Sequence, residues 1–228
     1  MLETFSLRYL NGELTPWFYK VWGSVSTFPL FKNILRDALR PVGVKSSLIR
    51  SLHKQVVTKN RGALTEFLEP EQLALSKAGG AKLVHQVRML SEGNKDFIVV
   101  KLDMRSAHNE VSRASVIEAL EKEPTLRHLA WHAATCLASH TGLESGGTLW
   151  GWAGEGQSQG DPEAGSWFSV AWHLEVRELN ATLAAHGGLA RFGNDDGYLV
   201  GPASIIFPAL EQFAAKVKEK CLLHLKVE

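Results

Sequence analysis

The sequence predicts an α+β protein in which helices cover one face of a sheet. Three observations lead to this prediction. A β-branched run at 97–102 is bounded by polar residues, as in a buried strand. Apolar residues spaced by threes and fours surround that run and indicate helices. From residue 97 onward the predicted order is strand, helices, strand, long helix, hairpin, helix and a final strand fragment.

The first 96 residues are predicted to contain two long helices. One covers 46–68 and ends at Pro70, and the second, over 81–91, follows a pair of glycines. The first 30 residues are aromatic-rich and weakly patterned. Arg40-Pro41 is expected to break the chain before the first long helix.

The remaining residues alternate between the two kinds of element. The strand at 97–102 is expected to end on Asp103, and a short helix over 115–121 is expected to begin with Ser115 and Glu118 as a capping box. A longer helix should begin at Asp161-Pro162 and continue to about residue 185. The other predicted elements are helices over 126–139 and 208–222, and strands over 148–153, 189–192, 198–200 and 223–227.

Composition excludes several classes of protein. The chain has 228 residues, 45% of them hydrophobic and 21% charged, and can bury a core without disulfides. Its two cysteines exclude a disulfide-stapled secreted scaffold and fit a reducing compartment. Since no membrane-length apolar run and no signal-peptide pattern occurs, we expect an intracellular protein, in the nucleus or the cytoplasm, with no membrane partner.

Charge is distributed unevenly along the chain. Residues 1–62 carry ten Lys or Arg and three Asp or Glu, a net of +7, and 63–228 carry fifteen and twenty-one, a net of −6, which together give +1. The basic part could hold an anion such as a phosphate backbone. Charge alone favours the alternative, a solvated basic helix face.

Two groups of aspartates follow predicted strand ends. Asp103 ends one strand, and Asp195 and Asp196 lie at the tip of a predicted hairpin. If the hairpin pairs beside the first strand, the three carboxylates meet at one edge, where they repel unless cations bind. Mg²⁺ prefers such oxygen ligands, and two ions about 3.5–4 Å apart are the arrangement of phosphoryl-transfer enzymes. Spacing alone favours the alternative without metal, in which Asp196-Gly197 is only a turn and Asp103 only a strand cap.

A group of histidines and a cysteine occurs at helical spacing. His128, His132 and Cys136 are four residues apart on one predicted helix, with His140 next. Adjacent members could share a zinc ion, but the outer two would lie about 12 Å apart on a helix. The spacing therefore favours a mixed helix face.

In their order along the chain, five stretches resemble reverse transcriptases, most closely the non-LTR retroelement and group II intron-like class. Residues 103–113 (DMRSAHNEVSR) are similar to the first catalytic motif of that family, Asp-x-x-x-Ala-(aromatic)-Asn-x-Val-x-Arg. Residues 159–162 (QGDP) resemble the second motif and 193–201 the third. Upstream, 40–44 resemble the Arg-Pro-Ile motif of the fingers, and parts of 70–88 match the run before the first catalytic motif.

The resemblance implies an RNA-directed DNA polymerase, a nucleotidyltransferase that adds dNTPs to a primer 3′-hydroxyl. By analogy with the motifs, Asp103 and Asp195 would ligate two Mg²⁺ ions, with Asp196 in support and Mn²⁺ as a substitute. The implied partners are an RNA template, a DNA primer and a dNTP. A further polypeptide encoded downstream could supply a thumb or nuclease.

The same resemblance implies the nucleotide pocket. Arg40 and Lys32 would hold the triphosphate, because a guanidinium fork suits phosphate oxygens. Gln159 and Gly160 would form the floor under the nucleotide. The remaining implied members are Ser106, Ala107 and His108.

The implied architecture is a right-hand polymerase with fingers and palm. The fingers would comprise 1–96 and an insertion at about 124–158, and 97–228 would form a ferredoxin-like antiparallel palm that stops before the thumb. The sequence departs from the family at two positions. His108 stands where an aromatic screens the sugar, and Gly193 where an aromatic precedes the paired acids. These departures leave a non-catalytic nucleic-acid-binding remnant as the alternative function.

Overall fold

The computed structural model describes residues 2–31 and 39–227, with side chains for 2–28 and 42–226. The helices are α1 (Leu2–Leu10), α2 (Pro16–Trp22), α3 (Ser47–Leu68), α4 (Gly79–Gly93), α5 (Ala107–Glu110), α6 (Arg113–Lys122), α7 (Ala130–Leu137), α8 (Ala164–Ala171), α9 (His173–Ala184) and α10 (Ala203–Cys221). The strands are β1 (Val25–Phe31), β2 (Leu39–Val44), β3 (Phe97–Arg105), β4 (Thr141–Ser145), β5 (Thr148–Ala153), β6 (Leu189–Gly193), β7 (Asp196–Pro202) and β8 (His224–Val227).

The mixed α+β class predicted from the sequence is confirmed, but the strands form two sheets rather than one. The first has the order β2-β1-β4-β5, and the second β6-β7-β3-β8. Sequence analysis missed β1 and β2, because prolines argue against central strands. Pro41 does not break the chain: it lies in β2 directly opposite Pro29 of β1, and neither proline needs to donate an N–H there.

Strand β3 forms the centre of the second sheet. It pairs antiparallel with β7 on one side and with β8 on the other. Val100, Leu102 and Met104 alternate with more exposed neighbours and point into the main core. The expectation that the strand ends on Asp103 is wrong, because pairing with β8 extends it two residues further, to Arg105. The hydrophobic run alone could not reveal this distant partner.

The second sheet carries helices on both faces, not on one. Phe192 of β6 lies against Trp172 and Phe213 on the face covered by α9 and α10, with ring centroids 4.9 and 6.1 Å away. Helix α4 covers part of the opposite face, where the Arg191 guanidinium donates from Nε to Oε1 of Gln86 at 2.7 Å. The apolar spacing of α4 did not reveal which element it covers.

Two predicted helix boundaries are corrected by local contacts. Helix α6 begins at Arg113, because Ser112 accepts a hydrogen bond from the Ser115 backbone N–H, whereas the Ser115 hydroxyl donates to the Lys220 carbonyl. The long helix predicted to reach about residue 185 is divided into α8 and α9 at Trp172, which is fully buried and leaves the helical conformation at φ −127°.

The region predicted as one helix over 126–139 is also divided. It begins as a 3₁₀ turn at Arg127–Leu129 and continues as α7.

Among the described residues, the structure contains no helix that is both long and apolar enough to cross a membrane.

The β6–β7 hairpin depends on a glycine. The Phe192 ring lies across Gly197, and a Cβ added at 197 would overlap that ring. We expect Gly197→Ala to destabilise the chain by about 1–3 kcal/mol in urea unfolding, because the aromatic ring must move within a packed core. The control is Gly193→Ala, whose added carbon meets Leu83 at an ordinary 3.5 Å. Equal stability of the two variants would contradict this packing.

Buried His173 predicts a pH-dependent stability. Burial, with Arg177 nearby, lowers the pKa of His173 from 6.5 to about 4. The unfolded chain therefore binds a proton that the folded chain resists, so stability falls as the pH drops from 6.5 to about 4. The loss is at most roughly 3 kcal/mol.

The measurement is urea unfolding of wild type and His173→Gln at about pH 7.5 and about pH 4.5. We expect the stability advantage of wild type over the variant to shrink at the lower pH. The exposed His186 provides the matched control, since His186→Gln should keep a constant difference from wild type. A constant difference for His173→Gln as well would rule out the proposed proton linkage.

Candidate active site

The three predicted aspartates come to one edge of the second sheet. The last β3–β7 pair is Leu102 with Gly197, so Asp103 and Asp196 are the next residues on adjacent strands. Asp195 lies in the turn that joins β6 to β7, whose last pair is Gly193 with Asp196. The sequence anticipated this adjacency on the condition that the hairpin pairs beside the strand of Asp103, and it does.

The three carboxylates lie on adjacent strands or the turn beside them, but their oxygens are not close enough together for all three to share one ion as they stand. In the described part of the chain, the groups of metal-ligating side chains whose possible ligand atoms all lie within 4.8 Å of one another do not include these aspartates. Lys226, opposite Asp103 on β8, places its ammonium Nζ 3.8 Å from Asp103 Oδ2. The Asp103 side chain is 29% exposed, so water and ions reach it. Accessible carboxylate oxygens fit the ligand chemistry of Mg²⁺, which would have to displace the Lys226 ammonium from Asp103.

A buried glutamine holds the turn that carries Asp195. Asn194 has a left-handed backbone at φ 67°, a conformation that asparagine tolerates better than most residues. Gln72 donates from Nε2 to the Asn194 carbonyl at 3.0 Å and accepts at Oε1 from the Asn194 N–H at 2.8 Å. Gln72 is 1% exposed, so these two bonds do not compete with water.

The Asn194 side chain extends the same network. Its Nδ2 lies 2.9 Å from Nε2 of His108, and its Oδ1 accepts from the Ser169 hydroxyl at 3.4 Å. Because the amide nitrogen can only donate, Nε2 of His108 accepts. Asn194 therefore connects the aspartate turn to the segment after β3 and to α8.

Sequence reasoning did not assign Gln72 or Asn194 a role in the site. Gln72 was visible within a Pro-x-Gln pattern, and Asn194 as part of a turn. The patterns gave no indication that the two residues meet, because 122 positions separate them.

The predicted pocket residues after β3 lie in distinct environments. Ser106 is exposed with a left-handed backbone at φ 47°, and Ala107 is buried. The His108 ring is partly buried, with its centroid 4.7 Å from that of Phe168 in α8. His108 is thus fixed between Phe168 and Asn194.

The glycine-rich loop at 154–160 is attached to the segment after β3 and to the first sheet. The Gly156 N–H donates to the Val111 carbonyl at 2.9 Å, within the segment 103–113. The Gly160 N–H donates to the Gly43 carbonyl of β2 at 3.1 Å. A Cβ at Gly160 would lie 2.5 Å from that same oxygen, so this close approach requires glycine. Gln159, the preceding residue, is partly exposed.

Arg113 fixes the other end of this loop, a role that its place in the sequence motif did not suggest. The buried guanidinium donates to the carbonyls of Gly156 at 3.0 Å and Ser139 at 2.9 Å, and to the Thr141 hydroxyl at 2.9 Å. The Arg113 N–H donates to the Glu155 carboxylate at 2.8 Å. One side chain therefore joins α6, the loop and β4.

The acid that follows Gly160 is buried in an ion-pair network. Asp161 Oδ2 lies 2.7 Å from the Lys45 ammonium, and Oδ1 lies 2.9 Å from Nδ1 of His53. Burial alone would raise the pKa of the Asp161 carboxyl, but Lys45 and His53 outweigh it and hold the pKa far below its usual range. Asp161 is therefore a structural carboxylate, apart from the three aspartates of the sheet edge.

The two predicted triphosphate ligands are not tested. Lys32 lies outside the described residues. The Arg40 backbone belongs to β2, opposite Leu30 of β1, and its side chain lies outside the described part of the chain. Both remain predictions.

Comparison with known proteins supports the fold and no finer class. No protein-family model and no curated protein matches the chain. A structure of apo telomerase from Candida tropicalis, truncated from its C-terminal domain, superposes with a TM-score of 0.65 at 11% identity, over 91% of this chain and 50% of that chain. The chain thus shares its fold with that telomerase structure and spans about half the length of that neighbour. The expected non-LTR or group II class is not shown.

We call the two hydrogen bonds between the Gln72 side chain and the Asn194 backbone the Gln72 clamp; its contribution to stability can be measured. Gln72→Leu leaves the buried N–H and carbonyl of Asn194 without their partner, at about 1–3 kcal/mol for each unsatisfied group. We expect a loss of that order in urea unfolding. Gln55→Leu changes an exposed glutamine on α3 and should be close to neutral. A Gln72→Leu variant as stable as Gln55→Leu would show that the clamp contributes nothing.

Proposed function

We propose that this chain performs template-directed nucleotidyl transfer, with RNA as template. The 3′-hydroxyl of a DNA primer attacks the α-phosphorus of a dNTP, a new phosphodiester bond forms, and pyrophosphate leaves. The observation that carries the proposal is the register of β3 and β7, which puts Asp103 beside the Asp195-Asp196 turn. The reverse-transcriptase-related fold supports it.

The three aspartates are the proposed metal ligands. Asp103 and Asp195 would hold two Mg²⁺ ions, and Asp196 would support them; Mn²⁺ suits the same oxygen donors. Such ions, when bound, neutralise the charge that develops during phosphoryl transfer. Lys226 is 52% exposed, so its ammonium can leave Asp103 without losing a buried environment. The Gln72 clamp on Asn194 keeps the turn in position while the ligands rearrange.

The nucleotide would lie between the turn and the glycine-rich loop. Gln159 and Gly160 are proposed as the floor under the base, and Ser106, Ala107 and His108 as the wall beside the sugar. The His108 ring is held by Phe168 and Asn194, so it presents a fixed planar edge despite being smaller than the usual aromatic. Arg40 and Lys32 are proposed to bind the triphosphate.

The first sheet supports the proposed division into fingers and palm. It joins β1 and β2, from 1–96, to β4 and β5, from the insertion at 124–158. Two segments far apart in sequence therefore form one unit, as expected if both belong to the fingers, and 97–228 would otherwise be palm. Trp150 of β5 is 59% exposed and offers a face on which an unpaired base can stack, whereas the Lys20 ammonium lies over the Trp152 ring, 4.6 Å from its centroid.

A nucleic-acid-binding protein without catalytic activity is the second candidate. One observation favours it: the Phe192 ring, one residue before Gly193, is fully buried in the core. This ring cannot replace the aromatic that the family places at Gly193 next to the primer end. The two candidates differ in whether nucleotide is incorporated.

Primer extension on an RNA template with Mg²⁺ distinguishes them. We expect wild type to extend the primer and Asp195→Asn to lose at least about 10²-fold in rate, because a metal ligand contributes several kcal/mol to transition-state stabilisation. The matched control is Asp96→Asn, just before the opposite end of β3, which should extend the primer like wild type.

Chelation and salt complete the test. Removal of divalent cations should abolish extension by wild type. Equal extension by wild type and Asp195→Asn would reject the metal site. Steeply salt-dependent binding of a primer–template duplex with no extension by any variant would instead select the non-catalytic candidate.

A further inference from the structure

A second group of metal-ligating side chains lies where α1, α3 and α7 meet. We call it the Cys136 cluster; it comprises Cys136, His132 and His53, with Tyr9 beside them. His53 is fully buried, His132 nearly so, and Cys136 half-buried. One ligand atom from each of His53, His132 and Cys136 can be chosen so that all lie within 4.8 Å of one another.

The separations are close to those of a zinc site. Cys136 Sγ lies 3.9 Å from Nε2 of His53 and 3.9 Å from Nδ1 of His132. In a tetrahedral site with Zn–S near 2.3 Å and Zn–N near 2.0–2.1 Å, sulfur and nitrogen lie roughly 3.5 Å apart. Both sulfur–nitrogen separations therefore exceed the tetrahedral value by only a few tenths of an ångström. His132 and Cys136 are one turn apart on α7. The third ligand, His53, comes from α3, so the sequence of α7 alone could not reveal it.

Each histidine is oriented by a carboxylate. Asp161 accepts from Nδ1 of His53 at 2.9 Å, and Glu163 lies 2.8 Å from Nε2 of His132. In each ring the other nitrogen is the one left for a metal beside the Cys136 sulfur. Metal-bound histidines almost always donate their second N–H to a carboxylate or carbonyl, and here both do.

The charge of the surroundings calls for two further positive charges. Lys45 carries +1, and Asp161, Glu163 and a Cys136 thiolate carry −1 each, which leaves −2 in a largely buried volume. Either two imidazolium protons or one divalent cation balances the charge.

An overlapping set can be set aside. His53, Asp161 and Glu163 also lie within 4.8 Å of one another. The Lys45 ammonium, however, lies 2.7 Å from Asp161 and already acts as the cation of that set. A soft thiolate with two imidazoles is moreover the donor set that selects zinc over magnesium.

We propose that Cys136, His53 and His132 bind one zinc ion as its three protein ligands. The Tyr9 oxygen, 2.8 Å from Nε2 of His53 and 3.6 Å from Cys136 Sγ, lies beside the remaining position. Zinc with three protein ligands takes a water molecule at the fourth position. The site would cross-link α3 and α7 and, through Asp161, brace the chain after Gly160. The proposal is independent of the polymerase function.

The test is metal binding by the purified chain after chelation and dialysis. We expect wild type to take up one zinc ion per chain with a rise in Tm, and Cys136→Ser to show neither. Cys221→Ser is the matched control, since Cys221 is buried elsewhere and its thiol lies 3.4 Å from the Ala171 carbonyl. Glu163→Gln should keep the site but weaken zinc affinity by about 10–100-fold.

Cobalt substitution covers the case in which Cys136→Ser fails to fold. Wild type and Cys221→Ser loaded with Co²⁺ should show a thiolate-to-cobalt charge-transfer band, which only a coordinated cysteine sulfur produces. Absence of this band in wild type, or zinc uptake no greater than that of folded Cys136→Ser, overturns the proposal and assigns the balancing charge to imidazolium protons. Primer extension plays no part in either readout.

Discussion

The antiparallel register of β3 and β7 is the constraint on which the rest of this protein depends. It runs from Phe97 opposite Pro202 to Leu102 opposite Gly197 and brings Asp103 beside Asp196. A shift of one residue would turn Val100, Leu102 and the other core residues of β3 to the opposite face. The packing of the core and the adjacency of the acids are therefore specified together, and neither can change without the other.

Three sets of hydrogen bonds attach the loops near the site to the rest of the fold. Gln72 fixes the backbone of Asn194, Gly160 lies against the backbone of Gly43, and Arg113 joins the glycine-rich loop to β4. Each of these groups is buried or at a close backbone approach, where an unmade hydrogen bond is costly. The acids next to them are more accessible, and Asp103 is paired with the Lys226 ammonium at 3.8 Å.

Much of the second sheet and the identity of the candidate acids followed from the sequence alone. The β-branched run of β3, the hairpin signal at Asn194 and the glycine pair at the start of α4 are local patterns that specify local structure. The spacing of apolar residues predicted α3 over 46–68, and the structure has it at Ser47–Leu68. The order of the motifs predicted a polymerase fold, and the chain shares its fold with the telomerase structure.

Only the tertiary structure decided which residues meet. The first sheet pairs β1 and β2 with β4, which lies much later in the sequence. Because β1 and β2 contain prolines, local sequence patterns did not indicate that they are strands. Gln72 reaches Asn194 across 122 positions, and His53 reaches Cys136 across 83. The sequence determined elements and chemistry because these arise from neighbours along the chain, whereas clamps and clusters arise from the packing of remote elements, which leaves no period in the sequence.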